Sequence, residues 1–146
     1  MNERGGTLAA VAHNAARMMV GFLYLQHGAQ KLFGVLGGFG GRGARVHLFS
    51  LFGLAGVLEL FGGSLVLIGL FTRPVAFVLA GEMAVAYFWA HFPRAFLPIQ
   101  NRGELPVLFC FFFLLLVAVG PGKASLDAWF RGRARGGIPP AADASG

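Results

Sequence analysis

Four long apolar stretches organise the chain: Leu8 to Phe33, Leu51 to Phe71, Val75 to Phe92 and Leu105 to Gly120. Each approaches the length of about 20 mostly apolar residues that crosses a hydrocarbon core of about 30 Å. The pattern predicts an all-α protein, an integral membrane four-helix bundle. The fourth stretch is short and needs its flanks, Trp129 and Phe130, at the interface. Between the stretches, Gly34 to Gly43 is too rich in glycine for a helix. Thr72-Arg73-Pro74 reads as a tight helix-to-helix connection, and Gly120-Pro121-Gly122 as a stop. Thr72 can cap the third helix, and Pro74 fits its first turn, where a missing N–H costs nothing. Glu104 and Pro106 suit the first turn of the fourth. Ser125 is placed to cap a short amphipathic C-terminal helix, Leu126 to Arg131. The expected organisation is one four-helix transmembrane domain over residues 8–131, followed by a disordered C-terminal tail over 132–146.

Polar residues interrupt these stretches at few positions. Three of the six acidic residues, Glu59, Glu82 and Glu104, lie inside or at the lip of apolar runs. A carboxylate in hydrocarbon is costly, so it faces a protein interior, pairs with a cation or serves a function. At about 100° per residue, His13, Arg17, Tyr24 and Lys31 share one arc of the first helix with Gly21 and Gly28, and His27 lies at its edge. Gly56, Glu59 and Gly63 form a face of the second helix, and Glu82, Ala86 and Trp89 one of the third. Small residues admit close neighbours and polar ones find partners there, so these are the bundle-facing surfaces. Depth pairs Arg17 with Glu59, Glu82 or both, and Lys31 with Glu104. Such pairs can also serve only to fix helix register, without chemistry.

Composition agrees with a membrane protein. The chain has 146 residues, 56% hydrophobic and only 12% charged, which cannot supply a soluble surface. A net charge of +6 is concentrated at helix ends and in the tail, where it meets anionic headgroups. No basic stripe with interleaved aromatics is present, so nucleic acid is not an expected partner. Arg4, Arg73, Lys123, Arg131, Arg133 and Arg135 fall on the side of the termini, against Arg42, Arg45, Arg94 and Arg102 on the other. That bias places the termini in the cytoplasm. His13, Asn14 and Arg17 inside the first apolar run mark a retained helix, not a cleaved signal peptide. The single cysteine, Cys110, rules out an internal disulfide or dithiol.

The recognisable motifs are few. GFGGRG at Gly38 to Gly43 spells a dinucleotide-binding pattern, but it follows a membrane helix and not a strand. No metal-binding pattern is present. His27 and His91 fall at similar depth, as a bis-His haem would require, yet nothing else in the chain supports haem. A quinone headgroup is the better match, since it needs an apolar slot for its tail and a few hydrogen-bond donors near the interface. Tyr24, His27, Lys31 and Trp89 supply both. The candidate ligand-binding set is therefore Arg17, Tyr24, His27, Lys31, Glu59, Glu82, Trp89 and Glu104; no catalytic set is legible.

Several of these stretches together resemble the DoxX family of small four-helix membrane proteins. They are Arg17 with GFLYLQHGAQKLFG (Gly21 to Gly34), GGFGG (Gly37 to Gly41), GVLELFGGSLVLIGLFTRPVAFVLAGEMAVAYF (Gly56 to Phe88), Gly103-Glu104 and GPGKASLDAW (Gly120 to Trp129). The resemblance implies a four-span protein of the bacterial inner membrane linked to respiratory or redox systems. Relatives are described as membrane subunits of thiosulfate–quinone or quinol oxidoreductases, or as partners of thiol and superoxide defence proteins. Arg17, His27, Gly28, Lys31, Glu59, Thr72, Arg73, Glu82 and Glu104 are the motif positions that carry over. With one cysteine, any thiol relay needs a partner's sulfur. The expected function is a small subunit of a membrane oxidoreductase system, working beside a protein partner and holding quinone in a polar interior. The alternative is a structural or assembly module whose charges only fix packing. Self-association through the glycine-rich faces is compatible with either.

Overall fold

The computed structural model describes residues 3–41 and 43–136, and the regular structure among them is helical. The helices are α1 (Glu3–Phe33), α2 (Leu51–Ile68), α3 (Thr72–Arg94), the single turn α4 (Pro98–Asn101), α5 (Glu104–Val119) and α6 (Leu126–Gly136). Three of them, α1 to α3, are long and apolar enough to cross a membrane, while α5, apolar after Glu104, is only 16 residues long.

The small-residue arc of α1 sets the first joint. Gly21 and Gly28 lie directly on the α2 backbone: a Cβ at Gly21 would stand 2.8 Å from the Gly63 carbonyl oxygen, and one at Gly28 2.6 Å from that of Gly56. Glycine is what allows two helix backbones to approach this closely. The second joint packs α3 along α5. Tyr24 links the two, its ring buried edge-on to Phe109 and Phe113 of α5 with centroids 5.3 and 4.9 Å away. Val66, Leu79, Leu116 and Met83 complete this core. The outer surface is apolar too, with Phe61, Phe77, Phe88 and Phe111 all exposed, which suits a lipid-facing protein and not a soluble one.

Two helices deviate from α geometry. Leu58–Gly62 in α2 and Tyr87–His91 in α3 are π-helical, and α3 tightens to 3₁₀ at Phe92–Arg94. Single π turns of this kind recur at functional sites.

The α2–α3 turn departs from expectation. α2 stops at Ile68 rather than Phe71, because Gly69 takes a left-handed conformation (φ 70°) and Leu70 N–H donates back to the Leu65 carbonyl. Thr72 does not cap α3. Phe71 occupies the cap position, and the amides of Phe71 and Thr72 donate to the two carboxylate oxygens of Asp127 at 2.8 and 2.9 Å. Thr72 is already inside the first turn, with its hydroxyl buried and without a partner among the described residues. Ser125 does cap α6, accepting from Ala128 N–H, and α6 runs on to Gly136, five residues beyond the expected boundary at Arg131. The rest of the expected tail, residues 137–146, lies outside the described residues.

Candidate functional site

The polar arc of α1 divides between two places. The register explains how. With Gly21 against Leu67 and Gly28 against Leu60, the antiparallel α2 brings Arg17 level with its own C-terminal end, and Lys31 level with its middle. Among the described residues Arg17 therefore forms no ion pair with a carboxylate. Its guanidinium donates to the carbonyls of Val66 and Leu67 at 2.6 and 2.7 Å, and to that of Ala124 at 2.6 Å. The last carbonyls of a helix lack intrahelical partners and carry partial negative charge, so a buried cation is a fitting cap. Arg17 is fully buried. Beside it, Asn14 Oδ1 accepts from Ala124 N–H, His13 meets the Gly120 carbonyl, and Asp127 N–H donates to the Gly69 carbonyl. The expected pairing of Arg17 with Glu59 or Glu82 is thus replaced by a clasp on backbone.

Lys31 takes the place assigned to Arg17. Its ammonium donates to Glu59 Oε1 at 2.5 Å, the only ion pair among the described residues. The expected pairing with Glu104 does not form, because Glu104 stands exposed at the head of α5. Glu82 is held by Tyr24, whose hydroxyl donates to Oε2 at 2.9 Å. Each carboxyl thus spends one oxygen. Among the described residues, Glu59 Oε2 and Glu82 Oε1 are buried with no hydrogen-bond partner, and Lys31 reaches Glu59 alone. Buried polar atoms in that condition are exceptional and call for an explanation.

These groups border a cleft of about 540 Å³ between α2 and α3. Lys31, Glu59 and Glu82 are its polar lining; the remainder is apolar, including Ala55, Leu58 and Met83. Both π-helical stretches contribute to the walls, one through Leu58 and Glu59, the other through Trp89 and Ala90. The mouth carries the exposed side chains of Phe52, Leu54, Val85 and Trp89. An apolar cavity of this size with a few convergent polar groups is the usual form of a small-molecule site, which spans about 300–1,000 Å³.

The other candidates lie elsewhere. His27 sits half-buried, edge-on to Phe109 with centroids 6.2 Å apart, and does not line the cleft. His91 donates from Nδ1 to the Asn101 carbonyl at 3.0 Å and serves the α3–α5 connection. Asn101, buried and absent from the sequence-derived set, completes that connection by donating to the Ala95 carbonyl and accepting from Gly103 N–H.

A model of the DoxX family matches residues 12–92, more than half of the chain and the part that supplies Arg17 and the whole lining of the cleft. The protein belongs to the DoxX family. It is a multi-pass membrane protein by that membership and by its apolar helices. A Haemophilus influenzae protein described as "Uncharacterized protein" is 39% identical over 121 residues, covering 78% of this chain and 87% of its own. No solved structure matches.

Proposed function

We propose that this DoxX protein is a small four-span subunit of a redox system in the bacterial inner membrane, with cytoplasmic termini, and that its α2–α3 cleft takes a quinone headgroup. The observation that carries this is the meeting of buried polar groups with an apolar cleft whose mouth is on the outer surface. Lys31 retains further N–H groups beyond the one given to Glu59, and a quinone carbonyl accepts from such a donor. Trp89 offers a ring beside the headgroup, and the exposed apolar mouth leads the tail out among lipid chains. The protein would hold and orient the quinone, leaving electron transfer to a partner that brings its own redox group.

A second reading has its own support. The Lys31–Glu59 and Tyr24–Glu82 pairs close on each other without a ligand and tie α1 to both α2 and α3. Charges that close in this way can serve assembly alone. Photolabelling separates the two. Protein reconstituted in lipid discs with a photoreactive quinone analogue should be labelled within residues 51–94, and unlabelled quinone should compete. Labelling spread over all helices and indifferent to competitor would remove the quinone site and leave the assembly role.

A further inference from the structure

At the opposite end of the molecule a second hollow, of about 490 Å³, is ringed by Arg73, Lys123 and Arg131. We infer that it binds the phosphate of an anionic phospholipid. The three cations come from three separate parts of the chain: the first turn of α3, the loop after α5, and α6. Among the described residues no carboxylate lines the hollow. Asp127, the acid on α6 among the described residues, is already used by the amides of Phe71 and Thr72. Three like charges around one space repel, and an anion between them removes that cost.

Arg73 is fixed for the task. Its Nη1 donates to the Val117 carbonyl at 3.0 Å, and the guanidinium lies against Gly120, where a Cβ would stand 3.2 Å from Nε. The φ of 88° at Gly120 is what favours glycine there, and the missing Cβ leaves the guanidinium room to lie close. A guanidinium held on one edge presents its remaining donors as a planar fork, the geometry that matches phosphate oxygens.

The surroundings favour a lipid over a free ion. Val119 and Pro121 give the hollow an apolar side. On α6, Trp129 and Phe130 are exposed, and Arg133 stacks on the Trp129 ring at 4.0 Å. Exposed aromatics with arginine on a short amphipathic helix suit the membrane interface. Basic pockets beside membrane helices on the cytoplasmic face are where anionic headgroups dock. A lipid seated here would bridge the start of α3, the end of α5 and α6.

The test is thermal unfolding of the full chain, stripped of lipid in neutral detergent, against added phosphatidylglycerol, phosphatidylcholine or inorganic phosphate. Phosphatidylglycerol should raise Tm saturably, and phosphatidylcholine should have little effect, because its choline meets the same cations. The triple variant Arg73→Gln/Lys123→Gln/Arg131→Gln should lose the rise, while Arg45→Gln/Arg94→Gln keeps it. Should the triple variant not fold, Arg131→Gln alone, at an exposed position, should bind phosphatidylglycerol at least threefold more weakly. Equal stabilisation by both lipids, or a rise that survives in the variants, would overturn the site. A rise with inorganic phosphate as large as with phosphatidylglycerol would overturn the lipid assignment. The quinone photolabel at residues 51–94 is indifferent to each of these outcomes.

Discussion

Arg17 and Glu59 are both buried ionisable groups in apolar helices, and they are satisfied in different ways. Arg17 is enclosed by backbone, with three carbonyls on its guanidinium. Two of these belong to the end of α2, where the Val66 carbonyl also accepts from Gly69 N–H and helix-end carbonyls commonly take outside donors. Glu59 meets a lysine through one oxygen and leaves the other without a partner among the described residues, in the lining of a cleft of about 540 Å³. The first arrangement caps a helix and lines neither hollow, although Arg17 Nε is also without a partner among the described residues; the second keeps unused hydrogen-bonding capacity next to open space. Burial of charge at membrane depth therefore does not by itself mark a site. What marks one is residual valency beside a volume that a ligand can enter.

The comparison is most directly broken at Arg17. Arg17→Met should destabilise the protein by about 3–5 kcal/mol, because it removes three charge-assisted hydrogen bonds and strands the Leu67 and Ala124 carbonyls. Arg17→Lys should recover less than half of that, since an ammonium cannot span the fork of acceptors. Reversible unfolding in mixed micelles measures both. A loss below about 1 kcal/mol for the methionine variant would mean that the clasp is not architectural.

Asp127 tests the same end with a smaller change. Asp127→Ala should cost about 1–2 kcal/mol, the usual penalty for a lost N-terminal cap, and should speed hydrogen exchange at the amides of Phe71 and Thr72. Exchange unchanged at those two amides would show that the turn holds itself. This cap also shows what was legible in the sequence. The apolar stretches, the glycine stop at Gly120 and the Ser125 cap are local signals, and each lies within a few residues of the event it governs. The bundle-facing arc of α1 was legible for the same reason: helical periodicity put Arg17, Tyr24 and Lys31 on one side. Their partners were not. The acceptor for Thr72 N–H lies 55 residues away, and those for Arg17 are backbone carbonyls, which every residue carries and no composition reveals. Lys31 with Glu59 instead of Glu104 depended on the α1–α2 register, which the close approach at Gly21 and Gly28 sets.

The smallest expected change in stability carries the most information about the cleft. Replacing both members of the ion pair, as Lys31→Met/Glu59→Leu, should leave stability within about 1 kcal/mol of the parent, because well-packed apolar residues often replace a buried pair at no net cost. Either single change should be worse than the double, since each leaves one uncompensated group behind, and the cycle of four proteins isolates that coupling. If the cleft is a quinone site, the double variant should keep its fold and lose competable photolabelling. A double variant that keeps its label would show the pair to be packing. One that unfolds as readily as Arg17→Met would place Glu59 in the same class as the clasp and erase the distinction between the two regions.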